Sequence, residues 1–157
     1  EADGRSGNKF DPEGWSVSSP TSWWGINPHR GGEPRPTHGR YIFGVHDNSN
    51  TLTASITQVI SNLPQGDYVL AVDMHASNTP NAIRVGAQRL FAGDAVAYFR
   101  DQVKDAGIGD NYPMQTIKLS FTQKADKTPL TIGVATDGAP NSTWFKIDKF
   151  RLYRVEE

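Results

Sequence analysis

The chain has no cysteine, only two methionines and no long apolar run. Without cysteine there is no disulfide scaffold, no thiolate zinc site and no thiol nucleophile. No stretch approaches the roughly 18 apolar residues that span a bilayer. An excess of charge is missing too: 16 Lys and Arg oppose 17 Asp and Glu. A nucleic-acid binder carries a basic stripe, and a membrane-surface binder a basic amphipathic helix. Neither pattern occurs, so neither partner is expected. Gly-x-Ser-x-Gly, His-Glu-x-x-His and the glycine-rich phosphate loop are absent as well, which leaves catalysis without a motif. There is no internal repeat or low-complexity tract. The 157 residues suit one domain with one core, read here as spanning 1–157.

What the chain has in quantity is punctuation: 15 glycines and 10 prolines divide it into short β-branched and aromatic runs. That is the pattern of an all-β sandwich or barrel. In 67–75, Tyr68, Leu70, Val72 and Met74 share one face, and Val69, Ala71, Asp73 and His75 the other. One apolar and one mixed face is the signature of a sheet lying on a core. In 115–122 the inward set is Ile117, Leu119 and Phe121. In 129–135 it is Leu130, Ile132 and Val134, while Thr131, Gly133 and Ala135 opposite are small, as if under another layer. Further strands are expected at 14–18, 40–45, 53–60, 82–87 and 144–155. In the last of these, Phe145 and Ile147 alternate in one phase and Phe150 and Leu152 in the other. A β-bulge near Asp148 or Lys149 would reconcile them. Segment 94–104 is left between helix and strand: Asp94 could cap a short helix, with Val96, Phe99 and Val103 at helical spacing. Segment 20–38 has no period and reads as a long ordered loop, a kind that often carries function.

Several stretches together resemble a known family. Glu1-Ala2-Asp3-Gly4 and Pro12-Glu13-Gly14-Trp15-Ser16-Val17 are similar to an opening Asn-Gly-x-Phe-Glu strand followed by a Gly-Trp strand, with the first strand incomplete. Thr37 to Phe43 is similar to a His-x-Gly-x-Tyr strand, Ile56 to Tyr68 to a Gln-x-Val-x-x-Leu-Pro-x-Gly-x-Tyr core, and Ile132-Gly133 with Trp144 to Leu152 to the closing pattern. These belong to galactose-binding-like jelly rolls among carbohydrate-binding modules, nearest to the family 61 module attached to bacterial β-1,4-galactanases. Residues 88–113 match nothing in the pattern. The strand that ends His-Trp in that family ends Val45-His46-Asp47 here. The resemblance implies an all-β sandwich of a bacterial secreted, periplasmic or cell-surface protein. It implies a non-catalytic domain that binds an oligo- or polysaccharide; a tether to a catalytic domain in a longer parent is one arrangement that fits. Galactose is one candidate sugar.

A sugar site needs an aromatic face for the C–H surface and polar groups for the hydroxyls. Four tryptophans are available. Trp23 and Trp24 sit beside Arg30 and Arg35. Adjacent side chains on an extended backbone point apart, so one Trp anchors and the other faces a ligand, unless both pin the loop. Trp15 reads as core. Trp144 follows the loop that holds Asn141 and is either a second platform or core. His46, Asp73, His75 and Arg84 would form a polar cluster on a sheet face, or simply a solvated face with salt bridges. No cofactor is demanded. Glu1, Asp3, Asp11, Asp137 and Asp148 would suit a structural Ca²⁺ if the fold gathered them; His38, His46 and His75 lack a zinc spacing. Two other functions fit the same residues. One is a structural or protein-interaction sandwich whose Trp-rich loop packs on a neighbour. The other is a small glycan-active enzyme using paired carboxylates.

Overall fold

The computed structural model describes residues 7–8, 11–19, 23–28, 36–39, 41–47, 51–76, 87–103, 114–139 and 143–156. Eleven strands are described: β1 Gly7–Asn8, β2 Ser16–Ser18, β3 Trp23–Pro28, β4 Tyr41–Asp47, β5 Leu52–Ile60, β6 Gly66–Ala76, β7 Arg89–Ala92, β8 Ala95–Tyr98, β9 Gln115–Gln123, β10 Leu130–Ala139 and β11 Thr143–Arg154. They form two antiparallel sheets, ordered β1-β3-β4-β11-β6-β9 and β2-β5-β10-β7-β8. This is the β-sandwich expected from the punctuated apolar runs. Among the described residues, helix is confined to one 3₁₀ turn, Phe99–Asp101, and no helix is long and apolar enough to cross a membrane.

The core lies between the sheets and follows the period of two. Tyr68, Leu70, Val72 and Met74 of β6 are buried, as are Ile117 and Leu119 of β9 and Phe145 and Ile147 of β11. Facing them are Leu52, Ala54 and Ile56 of β5 and Ile132 and Val134 of β10. Full burial of one such aliphatic side chain stabilises by about 1.5–3 kcal/mol, so the alternation itself fixes which face turns inward.

The stretch 20–38 differs from the sequence-based expectation, 94–104 settles a choice left open, and 82–87 lies outside the described residues but for its last residue. The stretch 20–38 contains a strand, β3, paired with β4 from Trp23↔His46 to Pro28↔Tyr41. Segment 94–104 is no regular helix: its first residues form β8, hairpinned to β7 with Ala92 opposite Ala95. The two-residue turn is Gly93-Asp94, and Gly93 takes φ +56° at the position where a type II′ turn places glycine. Phe99 is fully buried, and its N–H donates to the Gln88 carbonyl at 2.8 Å, so the 3₁₀ turn serves to return an aromatic to the core. Of the expected strand 82–87, only Ala87 is described, in a turn at φ +47°.

Gly133 is set by close approach. A Cβ there would overlap the Ile56 carbonyl oxygen and come within 3.0 Å of the Phe91 ring tip. The backbone oxygen cannot move without disturbing the β5–β10 ladder. Gly133→Ala is therefore expected to cost about 2–3 kcal/mol. Gly138, at φ +61° with nothing near its Cβ position, should lose only about 1 kcal/mol on replacement by Ala. Urea unfolding of both variants checks the order; equal losses would contradict it.

Candidate functional site

The outer face of the six-stranded sheet is organised by β11. Its pairing with β6 shifts register between Asp148 and Arg151, where one extra residue is accommodated. Lys149 sits there at φ +53°, outside the usual region for a residue with a side chain. Before this bulge Phe145 and Ile147 face the core; after it Phe150 and Leu152 pack against the same core. The outward set is then Trp144, Lys146, Asp148, Arg151 and Tyr153. Without the extra residue, Arg151 would share the phase of Phe145 and enter the core.

This outward turn brings Arg151 onto Asp73 of β6. The guanidinium donates from Nη2 to Asp73 Oδ1 at 2.6 Å and from Nη1 to Oδ2 at 3.0 Å. Thr116 of β9 donates its hydroxyl to Oδ1 at 2.7 Å. Asp73 is 5% exposed, so the pair is largely removed from water. Burial alone would raise the Asp73 pKa; hydrogen bonds from Arg151 and Thr116, with the Arg151 charge, outweigh it and hold the carboxyl below 3.8. Arg151 is shifted up, chiefly by its hydrogen bonds to Asp73. Asp73 is thus a fixed acceptor. A glycosidase acid needs the opposite shift.

Beside this network, His75 is 1% exposed and its ring lies 4.9 Å from Trp144, tilted by 34°. Trp144 itself is half-buried. The Lys146 ammonium lies 5.5 Å from the Trp144 ring centroid. Register places Trp23, His46 and Trp144 in one row across β3, β4 and β11. The row ends on a surface that is already partly covered: Ile42, Ala71, Asp73 and His75 are each at most 5% exposed. The expected alternative of a merely solvated face with salt bridges does not describe β6.

The predicted residues thus divide. Asp73, His75 and Trp144 meet on one face, and the backbone positions of Trp23 and His46 share a row with Trp144. Trp24 packs against the core, with buried Val45 opposite it, which makes it the anchor of the Trp pair. Trp15 packs on the core too, its ring 4.4 Å from that of Phe150. Arg30, Arg35, Arg84 and Asn141 lie outside the described residues. Of the suggested calcium ligands, Glu1 and Asp3 also lie outside them. Asp137 is bound by Arg89 at 2.6 Å on the other sheet, and Asp148 accepts the His38 N–H at 2.9 Å. Among the described residues no three carboxylate or histidine side chains gather as a metal site. Sequence reasoning missed Arg151, Thr116 and Lys146. The phase change that gave away the bulge also held the signal for Arg151.

A concavity opens where the bulge meets the edge of the other sheet. It is a cleft of about 480 Å³ floored by Phe43 and Ile56 and rimmed by Glu13, Trp15, His38 and Lys149.

No family model matches the sequence, and no curated protein matches it. Solved structures do. A family 61 carbohydrate-binding module in complex with β-1,4-galactotriose aligns over 91% of this chain and 90% of its own, at 14% identity and TM-score 0.53. The family 15 xylan-binding module aligns over 98% of both chains, at 15% identity and TM-score 0.50. Clostridium thermocellum endo-1,4-β-D-xylanase 10B, solved as its CBM22-1 and GH10 modules complexed with xylohexaose, aligns over 91% of this chain but 26% of its own, at 16% identity and TM-score 0.52. The fold is therefore that of the β-sandwich carbohydrate-binding modules.

The Asp73–Arg151 pair generates a pH prediction. A carboxyl held below 3.8 in the folded chain stabilises fully above that value and loses its contribution as pH falls through the folded pKa. Asp73→Asn should cost about 2 kcal/mol, unchanged between about pH 5 and 8, with the gap to wild type closing below about pH 3.8. Urea unfolding across that range measures it. A gap that stays constant down to pH 2 (approximately, in the acid limit) would show that the ion pair is not the cause.

Proposed function

We propose that the chain is a non-catalytic module that holds a polysaccharide on the outer face of the six-stranded sheet. The carrying observation is Trp144: half-buried on His75, flanked by Lys146 and in one cross-strand row with Trp23 and His46. An aromatic side chain fixed in this way offers a rigid apolar surface to the C–H face of a pyranose. The neighbouring donors then orient hydroxyls, and the neutralised Asp73–Arg151 pair leaves no large field to repel or demand charge. The neighbours bound to β-1,4-galactotriose and xylohexaose support a neutral plant or microbial polysaccharide as ligand, with galactose-containing chains among the candidates. The xylanase, in which such a module is joined to a catalytic one, supports a role as one unit, 1–157, of a longer exported bacterial enzyme. A structural Ca²⁺ held with the help of the N-terminal acidic residues belongs to the same reading.

A glycan array of β-galactans, arabinogalactans, xylans and mannans tests it, with and without calcium. Trp144→Ala is expected to weaken binding at least about tenfold while the fold persists. Trp24→Ala should instead lower the melting temperature, because it removes packing from the core side of β3. Wild type should release no reducing sugar. If no glycan binds, the reading falls, and a protein-interaction sandwich takes its place.

A further inference from the structure

The five-stranded sheet turns its own outer face to solvent, and that face is asymmetric. Two cross-strand rows run from β2 to β8: Ser16, Thr57, Gly133, Phe91, Val96, and Ser18, Ser55, Ala135, Arg89, Tyr98. The β2, β5 and β10 positions are small or carry hydroxyls; those on β7 and β8 are large. The step between them makes a groove of about 470 Å³ along β10.

Phe91 does not stand up from the sheet. Its ring tip lies 3.0 Å from the Cβ position of Gly133, its direct partner on β10, so the side chain leans across the neighbouring strand. It remains half-buried, with Val96 beside it 39% exposed. At the end of the groove Arg89 is braced: its Nη1 donates to the Ala87 carbonyl at 3.1 Å and to Asp137 Oδ2 at 2.6 Å. Tyr98 is capped by the Arg100 guanidinium at 4.4 Å from its ring centroid.

We infer that this groove is a second carbohydrate-contacting site, on the face opposite the one described above, for a neutral and hydroxyl-rich chain. The Phe91 ring supplies the apolar plate. Ser18, Ser55 and Thr57 line the floor with hydroxyls, and Arg89 and Asp137 cancel in charge while each keeps capacity to bond a sugar hydroxyl. An anion has no net positive field to enter. Along the floor of the groove an extended peptide has no unpaired backbone to join, since β5, β10 and β7 lie inside the sheet with their ladders occupied. The inference does not rest on the outer face of the six-stranded sheet being a site.

Amide chemical-shift mapping of the whole chain with β-1,4-galactotriose and with xylohexaose, at millimolar concentration, separates the two faces. The expected result is a set of shifts at Phe91, Gly133 and Ala135 with at least one of the sugars. They should persist in Trp144→Ala and weaken at least about tenfold in Phe91→Ala. Because Phe91 also covers Gly133, Ser55→Glu is the second variant: it fills the groove from the solvent side and leaves the core alone, and it should remove the same shifts. Shifts confined to Trp144 and His75 would overturn the groove and leave the first site standing. Shifts confined to the groove would do the reverse. No shift at Phe91, Gly133 or Ala135 with either sugar overturns the inference.

Discussion

The one extra residue in β11 is the constraint from which much else follows. A twelve-residue strand between β4 and β6 cannot keep a single phase here: Phe145 and Ile147 before Asp148, and Phe150 and Leu152 after it, must all reach the same core. A one-residue slip would exchange every inward and outward side chain beyond it. The bulge makes that exchange at Asp148–Arg151 and leaves Lys149 in a left-handed conformation, a backbone cost of about 1–3 kcal/mol. Continued burial of two large apolar residues offsets it.

The other side of the same device is chemical. The phase change that buries Phe150 and Leu152 turns Arg151 outward, where Asp73 and Thr116 are waiting on β6 and β9. A buried ion pair seldom adds much net stability over an apolar replacement; what it adds is orientation. Here it fixes two charged groups against each other on a face that also carries His75 and Trp144, so that face offers settled donors and acceptors instead of mobile charges. The opposite sheet reaches a similar neutrality by other means, with Arg89 braced on Asp137 beside Phe91.

Much of this was legible in the amino-acid order because burial writes a period of two into it. The inward sets of β6, β9 and β10 could be read off directly, and the clash of phases in β11 disclosed the bulge. What escaped reading did so for physical reasons. β3 holds Gly25 and ends on Pro28, residues that carry turn signals, yet both are tolerated once β4 supplies the ladder. The β7–β8 hairpin is only four residues on each side, too short for a periodic signal, and Asp94 in its turn also suits a helix cap. Within the candidate site, residues already suspected for their chemistry, Asp73, His75 and Trp144, do converge. Their partner Arg151 depends on a register that no local pattern states in full. Trp23 and Trp24 could be separated by alternation but not assigned; only the β3–β4 pairing puts Trp24 with the core.

On the proposed reading, such a module would gain affinity by not moving. Association must offset lost freedom in both partners, and ordering a flexible side chain adds about 0.5–1.5 kcal/mol each time. Trp144 stands on a twelve-residue strand paired on both sides and leans on a buried histidine, which narrows its rotamer freedom in the free chain. Phe91 is similarly held over Gly133 by a direct strand pair. The binding energy of an aromatic plate is modest, but on such strands little of it is spent on ordering the plate. On that reading a rigid sandwich is a suitable carrier for the weak, repeated contacts that a polysaccharide presents.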